Sequence, residues 1–132
     1  MNKKILIIDE HFDKGLLELL GTSYQVELIS SVSDFETIVF EAFLDFSSFD
    51  VIFIDPQMEP ESLFSVDESL NGQKTGCLLY DKYLREIECP IIIWAQESYI
   101  VDLCEESFSA KNLEFRRKAK TMKSIVDLID LL

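Results

Sequence analysis

The chain has 132 residues, of which 48% are hydrophobic, and carries a formal net charge of −13 with a pI of about 4.3. A chain of this length suits a single domain whose core needs no disulfide or metal to hold it together. Its acidic surface repels phosphate backbones, so we expect no direct binding of nucleic acid, and the hydrophobic fraction excludes an acidic disordered tail.

The cysteines and the N-terminal segment favour a cytoplasmic protein. Cys77, Cys89 and Cys104 are an odd number of cysteines, form no CxxC pair and lie in apolar surroundings. Such thiols are typical of buried, reduced cysteines in the cytosol. The N-terminal apolar run, residues 5–8, is too short for a signal peptide or a membrane span, so we expect no association with a membrane.

The first part of the chain alternates strand-like and helix-like segments. Residues 4–8 form an unbroken apolar run that predicts a buried strand, and residues 11–20 follow as a short amphipathic helix. Residues 24–29 alternate apolar and polar side chains, which predicts a half-exposed edge strand. A second helix is predicted to start at Ser33, with Glu36 completing a capping box.

The middle of the chain contains a third buried strand, residues 51–55, and then an unusually long loop. Residues 56–74 contain two prolines, an Asn-Gly pair and four acidic residues. Loops between a strand and a helix usually take about 2–6 residues, so we interpret this segment as an insertion. A helix over residues 76–88 and a fourth buried strand over residues 91–95 follow.

The last third repeats the pattern with a helix over residues 98–108, a short strand over residues 113–115 and a helix that Thr121 caps. Buried strands joined by helices predict a parallel sheet with helices on both faces. We therefore expect one domain, residues 1–132, with a doubly wound, flavodoxin-like α/β fold. The expected order of its five strands is 2-1-3-4-5, with the insertion at about 56–74 lying between strand 3 and helix 3.

Charged residues follow three of these strands. Asp9 and Glu10 come after the first strand, Asp55 after the third and Lys118 after the fifth. Ligands of such sheets bind beyond the carboxyl ends of the strands, where the strand order reverses. Three neighbouring carboxylates repel one another without a cation, and magnesium accepts oxygen ligands. A carboxylate held there can attack a phosphoryl group while an ammonium neutralises the developing charge, so the pattern predicts a magnesium-dependent phosphoryl-transfer site.

The chain resembles the receiver domain of two-component response regulators in four segments: ILIIDE at residues 5–10, DVIFID at 50–55, PIII at 90–93 and FRRK at 115–118. The resemblance covers nearly the whole chain, in order. It implies a phosphoprotein of a phosphorelay that receives its phosphoryl group on Asp55 from a sensor histidine kinase or a phosphotransfer protein. It also implies that the signal passes to a downstream protein target, and that the chain is no enzyme beyond its own phosphorylation.

The resemblance assigns a role to several single residues. Glu10 would bind magnesium directly and Asp9 through water, while Asp55 and the main-chain carbonyl of Gln57 would complete the protein ligands. Lys118 would contact the phosphoryl oxygens. The remaining assignments are Ala95 and Phe115 as the switch positions and the backbone N–H of Gln96 as a further phosphate contact.

The chain departs from the family at two positions that favour an alternative function. Ala95 stands where the family carries Ser or Thr, and Ala119 stands where it has a cis-proline. With the insertion, these departures favour a pseudo-receiver that is never phosphorylated and acts as a protein-interaction module. A phosphohydrolase with Asp55 as its nucleophile is a third hypothesis, but Gln57 occupies the position where such enzymes often have a second Asp. Plain structural roles also stay open, with Asp55 as a helix cap and Lys118 as a surface base.

Overall fold

The structure, a computed structural model, describes residues 3–132 and contains parallel β-strands that alternate with α-helices. The sheet has five strands in the order β2-β1-β3-β4-β5, and every neighbouring pair is parallel. This is a flavodoxin-like α/β fold, so the predicted fold class and strand order are confirmed. The strands are β1 (Lys4–Ile8), β2 (Gln25–Ile29), β3 (Val51–Ile54), β4 (Ile91–Ala95) and β5 (Leu113–Arg117), and the helices are α1 (Lys14–Gly21), α2 (Val32–Glu41), α3 (Thr75–Leu79), α4 (Ser98–Ser107) and α5 (Met122–Asp130).

The sheet separates two hydrophobic cores. Strands β1, β3 and β4 are almost completely buried, which explains why their sequences are apolar without alternation. Because successive side chains of a strand point to opposite faces, each strand supplies both cores. One core lies beneath α2, α3 and α4, and the other beneath α1 and α5. The sheet is therefore a rigid support for whatever follows its strand ends.

The helix starts differ from those predicted. Helix α1 begins at Lys14 rather than at residue 11, because the Asp13 side chain caps it by accepting a hydrogen bond from the Leu16 N–H at 2.8 Å. The predicted capping box at Ser33 and Glu36 is wrong. Ser31 caps α2 instead, since starting the helix there places residues 32 and 35, both fully buried, on its core-facing side.

Three further boundaries differ from the sequence prediction. The predicted helix over 76–88 is shorter: α3 continues only as a π-helical turn, Tyr80–Leu84. Strand β3 ends at Ile54, although the Asp55 N–H still donates to Ile8 O at 2.9 Å. Strand β5 continues to Arg117, so Lys118 follows it directly. No cis peptide bond occurs within residues 3–132. None of the helices described is long and apolar enough to cross a membrane.

The long insertion between β3 and α3 leaves and re-enters the fold at one point. The Gly76 N–H donates to Pro56 O at 3.0 Å, and the Met58 N–H donates to Gly72 O at 3.1 Å. The Thr75 hydroxyl donates to Met58 O at 2.6 Å. These contacts close the base of the loop, so β3 and α3 keep the close packing of an ordinary strand-to-helix connection.

Candidate functional site

The acidic residues after β1 and β3 and the lysine after β5 lie around a single pocket at the carboxyl edge of the sheet. Asp9, Glu10, Asp55 and Lys118 all line this cavity of about 330 Å³. The strand order brings these residues together. Strands β1 and β3 are neighbours, and the chain leaves their carboxyl ends toward opposite faces of the sheet. The four residues that the sequence singled out therefore surround one space.

Lys118 bridges the two buried carboxylates of the pocket. Its Nζ contacts Asp9 Oδ2 and lies 3.0 Å from Asp55 Oδ2. All three side chains are at least nine-tenths buried, with exposures of 9% for Lys118, 2% for Asp9 and 9% for Asp55. Two carboxylates at such burial repel each other strongly unless a cation lies between them, and here the ammonium supplies that cation.

Burial and neighbouring charges have opposing effects on the pKa values of Asp55 and Lys118. Burial raises the pKa of Asp55, since desolvation disfavours its carboxylate, and the Asp9 charge adds to the rise; Lys118 and the Gln57 N–H only partly offset it. Burial alone would lower the pKa of Lys118, but the Asp55 and Asp9 carboxylates outweigh that effect and leave it raised. Lys118 is therefore held charged, and Asp55 is a carboxylate of increased basicity.

Backbone N–H groups fix the orientation of both carboxylates. The His11 N–H donates to Asp9 Oδ1 at 2.9 Å, and the Gln57 N–H donates to Asp55 Oδ1 at 2.9 Å. Each Asp thus turns one oxygen to a main-chain donor and the other to Lys118. This arrangement holds the Asp55 carboxylate at the wall of the pocket, where a ligand can reach it.

Glu10 lines the pocket but turns its carboxylate toward the insertion. Glu10 Oε2 accepts a hydrogen bond from the Glu59 N–H at 2.8 Å. Glu10 Oε1 lies 3.1 Å from Nε2 of His11, whose side chain is 84% exposed. In this arrangement, no group of three or more His, Cys, Asp or Glu side chains within residues 3–132 is placed to hold a metal ion.

The donor types around the pocket nevertheless fit magnesium. Asp9, Glu10 and Asp55, which carry carboxylates, and Gln57, which has a main-chain carbonyl to offer, line the same cavity. Magnesium favours one or two carboxylates together with water and phosphate oxygens, and an open pocket leaves space for both. To bind there, Glu10 would have to exchange the Glu59 N–H for the metal.

The insertion supplies part of the pocket wall, which the sequence did not predict in detail. Asn71, Gly72 and Gln73 line the cavity, and Asn71 and Gly72 adopt left-handed backbone conformations with φ of 58° and 85°. The Asn-Gly pair marked a turn within the insertion, and in the structure this turn lines the pocket beyond the strand ends. Of the acidic residues of the insertion, Glu59 lines the pocket.

The remaining predicted positions lie close to the pocket. Ala95 ends β4 fully buried, and its carbonyl accepts the Lys118 N–H at 2.8 Å. Gln96 lines the cavity, and its carbonyl accepts a hydrogen bond from the Arg117 guanidinium at 2.7 Å. Phe115 is half-buried and packs against the core under α4. The end of β4 therefore offers main-chain groups and no hydroxyl.

Comparisons with known proteins support the fold and leave the family unassigned. No protein-family model and no curated protein matches the chain. Among solved structures, the chain is similar to a fusion protein that carries the yeast Spc42 trimeric coiled coil, amino acids 181-211. The two share 17% identity with a TM-score of 0.57, over 99% of this chain and 75% of that one. A likeness at this identity shows the fold alone.

Proposed function

We propose that this chain is a signalling receiver domain that accepts a phosphoryl group on Asp55 with the help of magnesium. The donor is the phosphohistidine of a sensor histidine kinase or of a phosphotransfer protein. The phosphorylated form then relays the signal through contacts with a downstream protein. The free cysteines support a location of this relay in the cytoplasm.

One observation carries the proposal: the Lys118 ammonium bridges the buried Asp9 and Asp55 carboxylates at the wall of an open pocket. A structural ion pair would need only one carboxylate and no cavity. A carboxylate of raised pKa beside a fixed cation is instead suited to nucleophilic attack on a phosphoryl group. The resemblance of the sequence to receiver domains independently assigns the same roles to these positions.

The proposed step needs little beyond positioning and charge. An Asp55 oxygen attacks the phosphorus, the bond from phosphorus to the donor's imidazole nitrogen breaks, and that nitrogen retains its electron pair, which a proton can then take up. Lys118 exchanges Asp55 Oδ2 for a phosphoryl oxygen, since it lies 3.0 Å from the reacting carboxylate. Magnesium, held by Asp9, Glu10 and Asp55, would neutralise charge on the phosphoryl oxygens.

Beryllofluoride, which mimics a phosphoryl group on a carboxylate, tests this proposal. Titrated with magnesium into the full chain, it should shift the backbone NMR signals of residues around the pocket. Asp55→Asn should abolish the shifts, while Asp34→Asn, an exposed Asp on α2, should leave them intact. Shifts that persist in Asp55→Asn would disprove Asp55 as the acceptor.

A pseudo-receiver is the second candidate function, and Ala95 favours it. This buried residue ends β4 without the hydroxyl that the family uses on its phosphoryl group. In that case the fold would serve as a protein-interaction module, and the acidic pocket would respond neither to beryllofluoride nor to a small phosphodonor. The titration above therefore separates the two candidate functions.

A further inference from the structure

Two phenylalanines, one in the last turn of helix α2 and one just beyond it, point away from both cores. Phe40 is 87% exposed and Phe43 is 68% exposed, the former on the last turn of the helix and the latter just beyond it. A pair of aromatic rings so exposed is unusual on a protein surface and is typical of a binding site. We call Phe40, Phe43 and the groove beside them the α2 patch.

The groove of the α2 patch is a built feature of the fold. It has a volume of about 600 Å³ and includes Phe40, Val39 and Tyr83 in its lining. The Tyr83 ring packs on Phe35 in the core, with ring centroids 5.4 Å apart. The Phe43 N–H donates to a helix carbonyl at 3.1 Å and follows a residue in the left-handed conformation, so the backbone that presents the ring is fixed.

The stretch of chain that carries the α2 patch is strongly acidic. No Lys or Arg occurs between Lys14 and Lys74, a segment that contains twelve Asp and Glu residues. Glu36 and Glu41 lie at the groove itself. The nearby Lys82 already lies over aromatic rings, with its Nζ 5.5 Å from the Tyr83 centroid. The patch therefore combines exposed aromatic surface with acidic side chains at its groove.

We propose that the α2 patch docks a basic amphipathic segment of another protein, with apolar side chains in the groove and Lys or Arg beside Glu36 and Glu41. Apolar anchors supply the affinity of such a contact, and complementary charge supplies orientation and a fast association rate. This surface lies on a different element from Asp55, so the inference goes beyond the proposed function and holds whether or not the chain is phosphorylated.

A second copy of the chain is a poor occupant. Each copy has a net charge of −13, so two copies repel each other. Several of its own cations are also engaged within the described part of the chain: Arg117 binds Gln96 O, Lys118 lies between Asp9 and Asp55, and Lys123 pairs with Asp127. The fitting partner is therefore a different protein with an excess of basic side chains, which this strongly acidic chain does not have.

Synthetic helical peptides test the proposal on the full chain. The probe peptides carry Leu and Phe at positions i, i+3 and i+4 on one face and Lys on the other, and the matched peptides carry Glu in place of each Lys. Binding is measured by fluorescence anisotropy at physiological salt and mapped by amide NMR shifts. The protein variants are the double substitution Phe40→Ser with Phe43→Ser and, as a control, Leu131→Ser at a residue that is 80% exposed.

The expected result is binding of the Lys peptides, with shifts over residues 32–43 and no binding of the Glu peptides. The double variant should bind about tenfold more weakly or worse, while Leu131→Ser should bind as the wild type does. Equal affinity of the double variant would mean attraction by charge alone and would overturn the proposal. Failure of every Lys peptide to bind would overturn it too, as would shifts that map elsewhere. Sedimentation that shows a dimer dependent on Phe40 and Phe43 would instead assign the patch to a second copy.

Discussion

The Glu10 carboxylate accepts a hydrogen bond from the main-chain N–H of Glu59 at 2.8 Å, so the insertion is tied to a residue that we propose as a magnesium ligand. Magnesium and the N–H compete for the same carboxylate. We expect saturating magnesium to shift the Glu59 amide signal and to speed its hydrogen exchange. The amide of Asp34, which donates to the Ser31 hydroxyl, is the control and should not change. A Glu59 amide that stays protected at saturating magnesium would contradict the proposed metal ligation by Glu10.

Removal of Lys118 should destabilise the fold more at neutral pH than in acid. Lys118→Ala leaves two buried carboxylates facing each other without a cation, a loss of about 3–5 kcal/mol in the free energy of unfolding. The pKa of Asp55 is already raised by burial, and without Lys118 it rises further. When the pKa of a carboxyl group is higher in the folded than in the unfolded protein, the free energy of unfolding falls as pH rises from the unfolded-state pKa through the folded-state pKa. The stability lost in Lys118→Ala should therefore be smaller near pH 4, which is roughly the pKa of Asp in the unfolded chain.

Urea unfolding of Lys118→Ala at several pH values measures this effect. Lys120→Ala, at an exposed position two residues on, serves as the matched control and should unfold as the wild type does at each pH. Added magnesium should restore part of the stability of Lys118→Ala, since it replaces the missing cation. A loss of stability that is the same at all pH values would show that Lys118 contributes packing rather than charge.

A methyl group at position 76 should disturb the base of the insertion. The Cβ of Gly76→Ala would lie 2.5 Å from Asp55 O and 2.8 Å from the Pro56 Cα, and neither backbone atom can move freely. We expect a loss of about 1–3 kcal/mol or more in the free energy of unfolding, together with shifted Asp55 signals in NMR spectra.

Gly21→Ala is the matched control for the substitution at position 76. A Cβ at Gly21 meets no atom within 4 Å, so this variant should be neutral or more stable by about 0.4–1 kcal/mol. Thermal or urea unfolding compares the two. Equal stability of both variants would contradict the close packing of α3 on the strand that delivers Asp55.

Adding a hydroxyl at the end of β4 should strengthen the proposed phosphoryl binding. Ala95→Ser adds one hydrogen-bond donor beside the pocket, and a hydrogen bond to a charged group contributes about 1.5–3 kcal/mol, or about tenfold or more in the affinity for beryllofluoride. Ala110→Ser, before the start of β5 and thus at the opposite edge of the sheet, is the control. Unchanged affinity of Ala95→Ser in magnesium titrations would mean that the side chain at position 95 does not face the phosphoryl group.

Much of the fold and the place of the site followed from the sequence. The apolar runs that became β1 and β3 are buried on both faces, which only the centre of a parallel sheet provides. Once those strands are adjacent, Asp9 and Asp55 must emerge side by side. The start of α2 was missed because Ser31 and Ser33 are both good caps, and the burial of Val32 decides between them.

The details of the pocket depend on tertiary contacts that no local pattern encodes. Glu10 turns to the Glu59 N–H because the insertion passes over the strand ends, and that course is set by the closure of its base on Gly76. The exposed rings of Phe40 and Phe43 also could not be foreseen. Phe43 has the helical spacing of a core residue, but α2 ends at Glu41 and the Phe43 ring stays outside the core.

Intact mass after incubation with magnesium and acetyl phosphate tests the central claim most directly. The account predicts a gain of one phosphoryl group, lost on treatment with hydroxylamine as an acyl phosphate should be, absent from Asp55→Asn and unchanged in Asp34→Asn. A wild-type protein that gains no phosphoryl group, or an Asp55→Asn variant that gains one, would contradict it.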